Sequence, residues 1–320
     1  PMIRAIWSGL QRLGFKGGNI LEPGMGTGLF AVASPSEVME KSKYTGVEMD
    51  KATARIARHL LPESNILNAD FVKQKFPDNF FDLAIGNPPF SSTKILDDPA
   101  YKKYRFLLHD YFFAKSLDKV RPGGLLVFVT SKGTMDKADD KARAYMAERA
   151  DLLGAIRLPQ TAFKQNAGTE VVTDVLFLRK RQPGEVPGGE SWQGRAEVQT
   201  PEGPALVNEY FARHPDMVLG EHSLKGSMYR SDEYTVLPHG TDIDAQFAEA
   251  VTHLPENVYP PDISSSADSM RQQVIERDFN PRHTKEGALY VDEKGLLRRL
   301  DDGSGVDIDT VAKLSDADKE

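Results

Sequence analysis

Short apolar runs alternate with stretches of helical periodicity from residue 2 to residue 130, and this alternation constrains the fold more than any other feature of the chain. The stretch "MIRAIWSGLQRLGF" puts Ile3, Ile6, Leu10 and Leu13 on one helical face and is followed by an apolar strand, "NILEP". Next come strand "YTGVEMD", a helix over Lys51 to Leu61, a short strand near Ile66 and Leu67, and a strand over Phe81 to Ile85. A helix over Phe106 to Val120 and a strand over Leu125 to Thr130 complete the series. Strands separated by helices must run parallel, because each helix carries the chain back across the sheet. After a helix from about Lys137 to Ala150, "LLGAIRLP" and "TEVVTDVLFLRKR" are strands with no helix between them, which permits an antiparallel last strand. The pattern predicts an α/β fold: a doubly wound, mostly parallel, seven-stranded Rossmann-like sheet with an antiparallel last strand.

The texture changes near Gln182. "QPGEVPGGESWQG" is rich in glycine and proline and predicts a linker, and beyond it the periodicity is patchy. "LVNEYFARHPDMVLG" has room for one short helix, and "GALYVDEKGLLRRLDDG" predicts a hairpin around Glu293, Lys294 and Gly295. Two regions are expected: a catalytic domain over 1–182, and an acidic linker or accessory region over 183–320, partly irregular. Residues 1–182 carry 27 Lys and Arg against 20 Asp and Glu, a balance of +7, whereas residues 183–320 carry 13 against 27, a balance of −14. The first half is mildly basic, which lends slight support to a nucleic-acid partner, and the acidic half is expected to repel phosphates unless it folds away. The chain has no cysteine, which excludes disulfides and thiolate metal sites, and no apolar run of membrane-spanning length. It opens on Pro1 and Met2 without a basic-then-apolar leader, so a fragment of a larger, cytoplasmic protein is expected.

Four strand ends carry candidate chemistry. "LEPGMGTGLF" places Gly24, Gly26 and Gly28 where the first strand turns into a helix, so the backbone can approach a ligand without an intervening Cβ. Leu29 occupies the position where a dinucleotide fingerprint wants its third glycine, so pyrophosphate is not the favoured guest. The second strand ends in "GVEMD", where Glu48 can accept both hydroxyls of a ribose. The third ends in "NADF", where Asp70 can accept from an adenine amine and Phe71 can cover the ring face. The fourth runs into "GNPPF", where Pro88 and Pro89 lock an extended exit in which Asn87 is held rigidly. Singly, each acid also reads as a solvated strand end, and the proline pair as an ordinary turn.

Taken together, in this order and spacing, the four motifs resemble the gamma-type S-adenosylmethionine-dependent DNA adenine-N6 methyltransferases over about residues 1–182. The resemblance implies that Glu22, Pro23, Gly24, Gly26 and Gly28 surround the methionine portion of S-adenosylmethionine, with Glu48 on its ribose and Asp70 and Phe71 at its adenine. It implies that the Asn87 side-chain oxygen and the Pro88 carbonyl accept the two N–H bonds of the target amine. An aromatic amine is a poor nucleophile because its lone pair is shared with the ring; fixed acceptors on both hydrogens localise that pair, so catalysis is mostly orientation and preorganised electrostatics, with no metal needed. Phe90 would stack on an adenine turned out of duplex DNA. Phe163, in "LPQTAFKQNAGTEV", is the candidate for a second stacking partner or, equally, a loop aromatic packed under the sheet. Lys102, Lys103 and Arg105, interleaved with tyrosines, are candidates for phosphate contacts or a solvated loop. "PMIRAIW" resembles the tail of the family's N-terminal cofactor motif, and "VNEYFARHPDMVLG" and "LPENVYPP" look like the linking region of phage and plasmid proteins that fuse such a methylase to a helicase. The alternatives are enzymes with the same signature that modify RNA bases or a protein glutamine, and an inactive methylase fold that only binds. Roles in restriction-modification, anti-restriction or regulation all remain open.

Overall fold

The computed structural model describes residues 2–162, 171–226, 233–240 and 242–260, together with the backbone of three short strands between 289 and 307. Helix α1 (Met2–Arg12) precedes strand β1 (Asn19–Pro23). Short helices α2 (Leu29–Val32) and α3 (Ser36–Met39) lead into β2 (Lys43–Glu48), then α4 (Lys51–Leu60), β3 (Asn65–Asn68) and β4 (Phe81–Gly86). After a long loop come α5 (Leu108–Lys119), β5 (Val120–Ser131), α6 (Gly133–Asp136), α7 (Lys141–Arg149), β6 (Ala150–Leu158) and β7 (Thr173–Lys180). The seven strands form one sheet in the order β3-β2-β1-β4-β5-β7-β6. Strands β1 to β5 run parallel, and β7 inserts antiparallel between β5 and β6. The predicted fold class is therefore found, including the antiparallel strand that the missing crossover helix implied.

Local chemistry accounts for the element ends. Asp50 caps α4 by accepting from the Thr53 N–H at 2.7 Å. Every residue of α5 from His109 to Leu117 is buried, because the helix lies between the sheet and an outer aromatic layer of Tyr101, Tyr104, Phe106 and Tyr145. The helix expected from about Lys137 starts instead at Lys141, after the separate turn α6. The guanidinium of Arg143 bonds the carbonyls of Thr134 and Lys137, which closes that gap.

Residues beyond Gln182 depart most from expectation. Those up to 260 form the hairpin β8 (Arg195–Thr200) and β9 (Gly203–Asn208), helix α8 (Glu209–Arg213), the hairpin β10 (Glu221–Gly226) and β11 (Glu233–Leu237), and helix α9 (Ile243–Thr252). These elements pack on the sheet domain and are not a loose linker. Trp192 and Phe211 are buried, the Asn208 side chain bonds the carbonyls of Met135 and Trp192, and α9 packs along α1. Arg157 of β6 is the main joint. It is fully buried, paired with Asp174 and Asp136, with its guanidinium 4.1 Å from the Phe211 ring centroid. Farther on, β12 (Leu289–Val291) and β13 (Leu297–Asp301) pair antiparallel, joined by β14 (Ser304–Asp307). The strands of the expected hairpin are present, and its tip at residues 293–295 lies outside the described residues. Among the described residues no helix is long and apolar enough to cross a membrane.

Candidate active site

The carboxyl ends of β1, β2, β3 and β4 lie side by side, the edge where an open α/β sheet receives ligands. Beyond Pro23 the chain turns, and the N–H groups of Gly24 and Met25 both donate to the Val47 carbonyl of β2, at 2.8 and 3.0 Å. Gly26 has φ +56°, and a Cβ built on it would meet nothing within 4 Å, so this is the open side of the turn. Its N–H donates to Glu48 Oε2 at 2.9 Å, while Glu48 Oε1 accepts from the Asp50 N–H at 2.8 Å. Two backbone donors thus aim the Glu48 carboxylate and leave it lone pairs for a ligand's hydroxyls. Gly28 has a different task. Its φ of +84° at the start of α2 lies in the left-handed region that favours glycine, and a Cβ there would also come within 2.6 Å of Leu61 Cδ1, so its conformation accounts for glycine at this position without a ligand.

The Ala69 N–H and the Asn68 amide both bond the Glu48 carbonyl, which keeps the ends of β2 and β3 level. Asp70 follows, half-buried, with Oδ1 accepting from the Val72 N–H at 2.9 Å. Phe71 is only 3% exposed and packs on Phe112 with ring centroids 4.8 Å apart. The face expected to cover a ligand ring is turned into the core, where it anchors the Asp70 turn. Beneath it Lys115, which sequence reasoning missed, donates to the carbonyls of Phe71 and Val72 at 2.9 Å each. Burial pushes its ammonium down to about 8, against the pull of Asp98. The available signal was a lone lysine inside the aromatic run of α5, "DYFFAKSL".

Glu22 is 2% exposed and accepts from the Tyr44 hydroxyl at 2.6 Å. Burial pushes its carboxyl up to about 8; the Tyr44 bond opposes the shift and nearby Glu48 adds to it. Glu22 is therefore a neutral acid at pH 7. β4 runs beside it, and the two loops abut: a Cβ on Gly86 would lie 3.4 Å from Glu22 Cγ, and one on Gly24 would lie 3.4 Å from Pro89 Cδ. Asn87 is exposed, and among the described residues nothing bonds its side chain or the Pro88 carbonyl. Phe90 is 40% exposed and lines a cavity of about 680 Å³ whose walls include His109, Lys132, Gln160, Glu233 and Thr235. His109 is 6% exposed, and burial pushes its imidazole below its ordinary value. Lys102, Lys103 and Arg105 are exposed on a 3₁₀ turn, with the Lys103 ammonium 4.8 Å from the Tyr104 ring centroid. Phe163 lies outside the described residues.

The arrangement fits S-adenosylmethionine in one specific respect. Where a Cβ on Gly26 would point, there is open space, and Glu48 and Asp70 stand at adjacent strand ends with acceptor capacity left. Immediately beside that turn is a loop presenting two free acceptors.

Comparison with known proteins agrees with this geometry. Residues 35–163 match the family model described as Eco57I restriction-modification methylase. The match takes in the strand ends of Glu48, Asp70 and Asn87 and agrees with the resemblance to restriction-modification methylases read from the sequence; methyltransferases of that family use S-adenosylmethionine as methyl donor. The chain is 31% identical over 186 residues to the "Defense against restriction protein B" of Escherichia phage P1, which covers 56% of this chain and 8% of that protein. It is 28% identical over 214 residues to the type II methyltransferase M.CvrRI of Paramecium bursaria Chlorella virus XZ-6E, covering 66% and 53%. The chain thus spans a small part of the first relative and about half of the second. Among solved structures, the modification subunit of a putative type I restriction enzyme from Vibrio vulnificus YJ016 shares the fold, with a TM-score of 0.50 and 12% identity, covering 94% of this chain and 58% of that one.

Proposed function

We propose that this chain transfers the methyl group of S-adenosylmethionine to the exocyclic N6 amine of adenine in DNA, and that it is the methylase part of a longer protein. The observation that carries the reading is the abutment of the Gly24 turn on Pro89, which sets two free acceptors, Asn87 Oδ1 and the Pro88 carbonyl, beside the cofactor cradle. S-adenosylmethionine, when bound, supplies an electrophilic methyl on a sulfonium. Every other requirement falls to the chain. Asn87 and Pro88 would accept hydrogen bonds from the two amine hydrogens, keep the nitrogen lone pair out of the ring and orient it, without removing a proton in the attacking step; the surplus proton of the methylated amine leaves afterwards to water. Gly86, buried at the strand end, and the two prolines hold this geometry before the target arrives, so little reorganisation remains for the reaction. Phe90 offers an exposed ring at the mouth of a cavity large enough for a base, and stacking there offsets part of the few kcal/mol that unstacking a base costs. A helicase module elsewhere in the same longer protein would present DNA to this site.

The test is to offer radiolabelled S-adenosylmethionine and the chain in parallel to unmethylated duplex DNA, to RNA and to a cell protein extract, then digest each and identify the methylated product by mass spectrometry. N6-methyldeoxyadenosine from DNA is expected. Label confined to RNA or to protein glutamine would replace this reading by one of the rival activities, and label in none would leave a binding module.

A further inference from the structure

Gln160 stands in the wall of the same cavity as Phe90, just past the end of β6, and it is fixed twice by β11. Its backbone N–H donates to the Val236 carbonyl at 3.0 Å, and its side-chain Oε1 accepts from the Thr235 hydroxyl at 2.6 Å. The Thr235 hydroxyl thus holds the oxygen end of the amide, and Nε2, with no partner among the described residues, is the end left to the cavity. β11 belongs to the acidic half, and its first residue, Glu233, pairs with Lys132 of the sheet domain at 2.8 Å. The hairpin of β10 and β11 thus builds a wall of the cavity and holds one hydrogen-bond donor in it.

We propose that Gln160 is a specificity-determining residue, donating an N–H to a ring nitrogen that flanks the target amine. This rests on the adenine reading given above. Asn87 and Pro88 both accept, so they use the two hydrogens of the amine and leave the neighbouring ring nitrogens, N1 and N7 in adenine, as bare acceptors. A fixed donor complements such an acceptor. Guanine carries a carbonyl at C6, which would face the acceptors Asn87 and Pro88, and a proton on N1, so a Gln160 donor placed at N1 would confront donor with donor, whereas at N7, an acceptor in both purines, the discrimination would rest on Asn87 and Pro88 alone.

The test uses the full 320-residue chain and random-sequence DNA prepared with adenine, 7-deazaadenine or 1-deazaadenine. On natural DNA, Gln160→Ala is expected to lower kcat/KM by about tenfold to a hundredfold, the discrimination a good side-chain contact to a base provides. Calorimetric affinity for S-adenosylhomocysteine should be unchanged, and the melting temperature should fall only by the modest amount that loss of the Thr235 bond costs. Gln160→Glu, of the same shape but with acceptors only, should be worse than alanine, and Thr235→Val, which frees the amide to turn, should show a smaller loss. On one of the two deaza DNAs the gap between wild type and Gln160→Ala should close to within about twofold, because the partner nitrogen is gone. That result separates a base contact from a structural role. A gap equally wide on all three DNAs, or Gln160→Ala within twofold of wild type on natural DNA, overturns the assignment while the adenine reading stands. A wild type that methylates no DNA overturns both.

Discussion

Glu22 makes stability depend on pH in a direction opposite to that of most carboxylates. The perturbation is Glu22→Gln, which keeps the shape and an acceptor for the Tyr44 hydroxyl but removes the titration. In the unfolded chain the carboxyl titrates near 4.5; in the folded chain burial moves it up to about 8. Below 4.5 both states are protonated and the group contributes nothing to the pH dependence. Between the two values the unfolded chain ionises while the folded one keeps its proton, so each rise of one pH unit favours unfolding by about 1.4 kcal/mol. Above about 8 both are ionised and the penalty levels off. Over the whole interval the loss is at most about 5 kcal/mol, and relaxation around a buried charge reduces it. Urea unfolding of both proteins from pH 5 to pH 9 measures the effect. The difference in unfolding free energy should grow steadily in favour of Glu22→Gln and flatten above pH 8. Parallel curves over the whole range would refute the reasoning, because they would mean that Glu22 is ionised in the folded protein at neutral pH.

Asn87→Ala should reduce methyl transfer to DNA by about a hundredfold or more, comparable to losing one preorganised oxyanion donor, with calorimetric cofactor affinity nearly intact; activity within a few-fold of wild type would sink the mechanism. Asp70→Ala should weaken cofactor binding by roughly tenfold, the worth of a hydrogen bond to a charged acceptor, and equal affinity would remove Asp70 from the adenine pocket. S-adenosylmethionine binding should release protons near pH 7.5, since a bound cation beside Glu22 favours its ionised form; calorimetry in buffers of different ionisation enthalpy reads this directly, and identical heats in all of them would contradict it. Truncation at Gln182 should leave an insoluble or molten product, because it strips Phe211 from Arg157 and α9 from α1; a truncated chain melting within a few degrees of the full one would show that the second half is separable.

The sheet and the rigid loop after β4 were legible because their signals are local. Period-two and period-3.6 patterns are properties of one element at a time, and the proline pair after β4 restricts its own backbone. The short connection after "LLGAIRLP" sufficed to place β7 antiparallel. What could not be read depends on neighbours distant in sequence. Gly28 looks like the other glycines of its turn, yet it starts α2 with a φ of +84° and lies against Leu61. Phe71 sits in a ligand motif, and only the packing of α5 shows its ring turned inward. The upward shift of Glu22 follows from complete burial, against the bond from Tyr44, and no spacing announces it. β8 alternates between exposed and half-buried positions, so it lacks the apolar run that marks a buried strand, and β10 and β11 are short strands whose anchors, Arg157 and Gln160, lie at least 60 positions upstream.

Net charge is silent on position for a related physical reason. A balance of −14 over residues 183–320 suggests a region that repels DNA, but the sum does not say where the carboxylates point. Glu202 accepts from the Leu224 N–H and the Ser223 hydroxyl and pairs with Lys225, Glu209 accepts from the Gly194 N–H and pairs with Arg213, and Glu233 pairs with Lys132 beside the cavity. Each of these acids joins one segment to another, and the field of such a pair falls off within a few ångströms, much faster than that of a lone charge. In the function proposed here, the surface that DNA would meet is the one around Asn87, Phe90 and the basic turn at Lys102, Lys103 and Arg105. The acidic half supplies that surface with a wall. In that reading, added salt should weaken the phosphate contacts proposed for the basic turn without abolishing the seating of a base between Phe90 and Gln160.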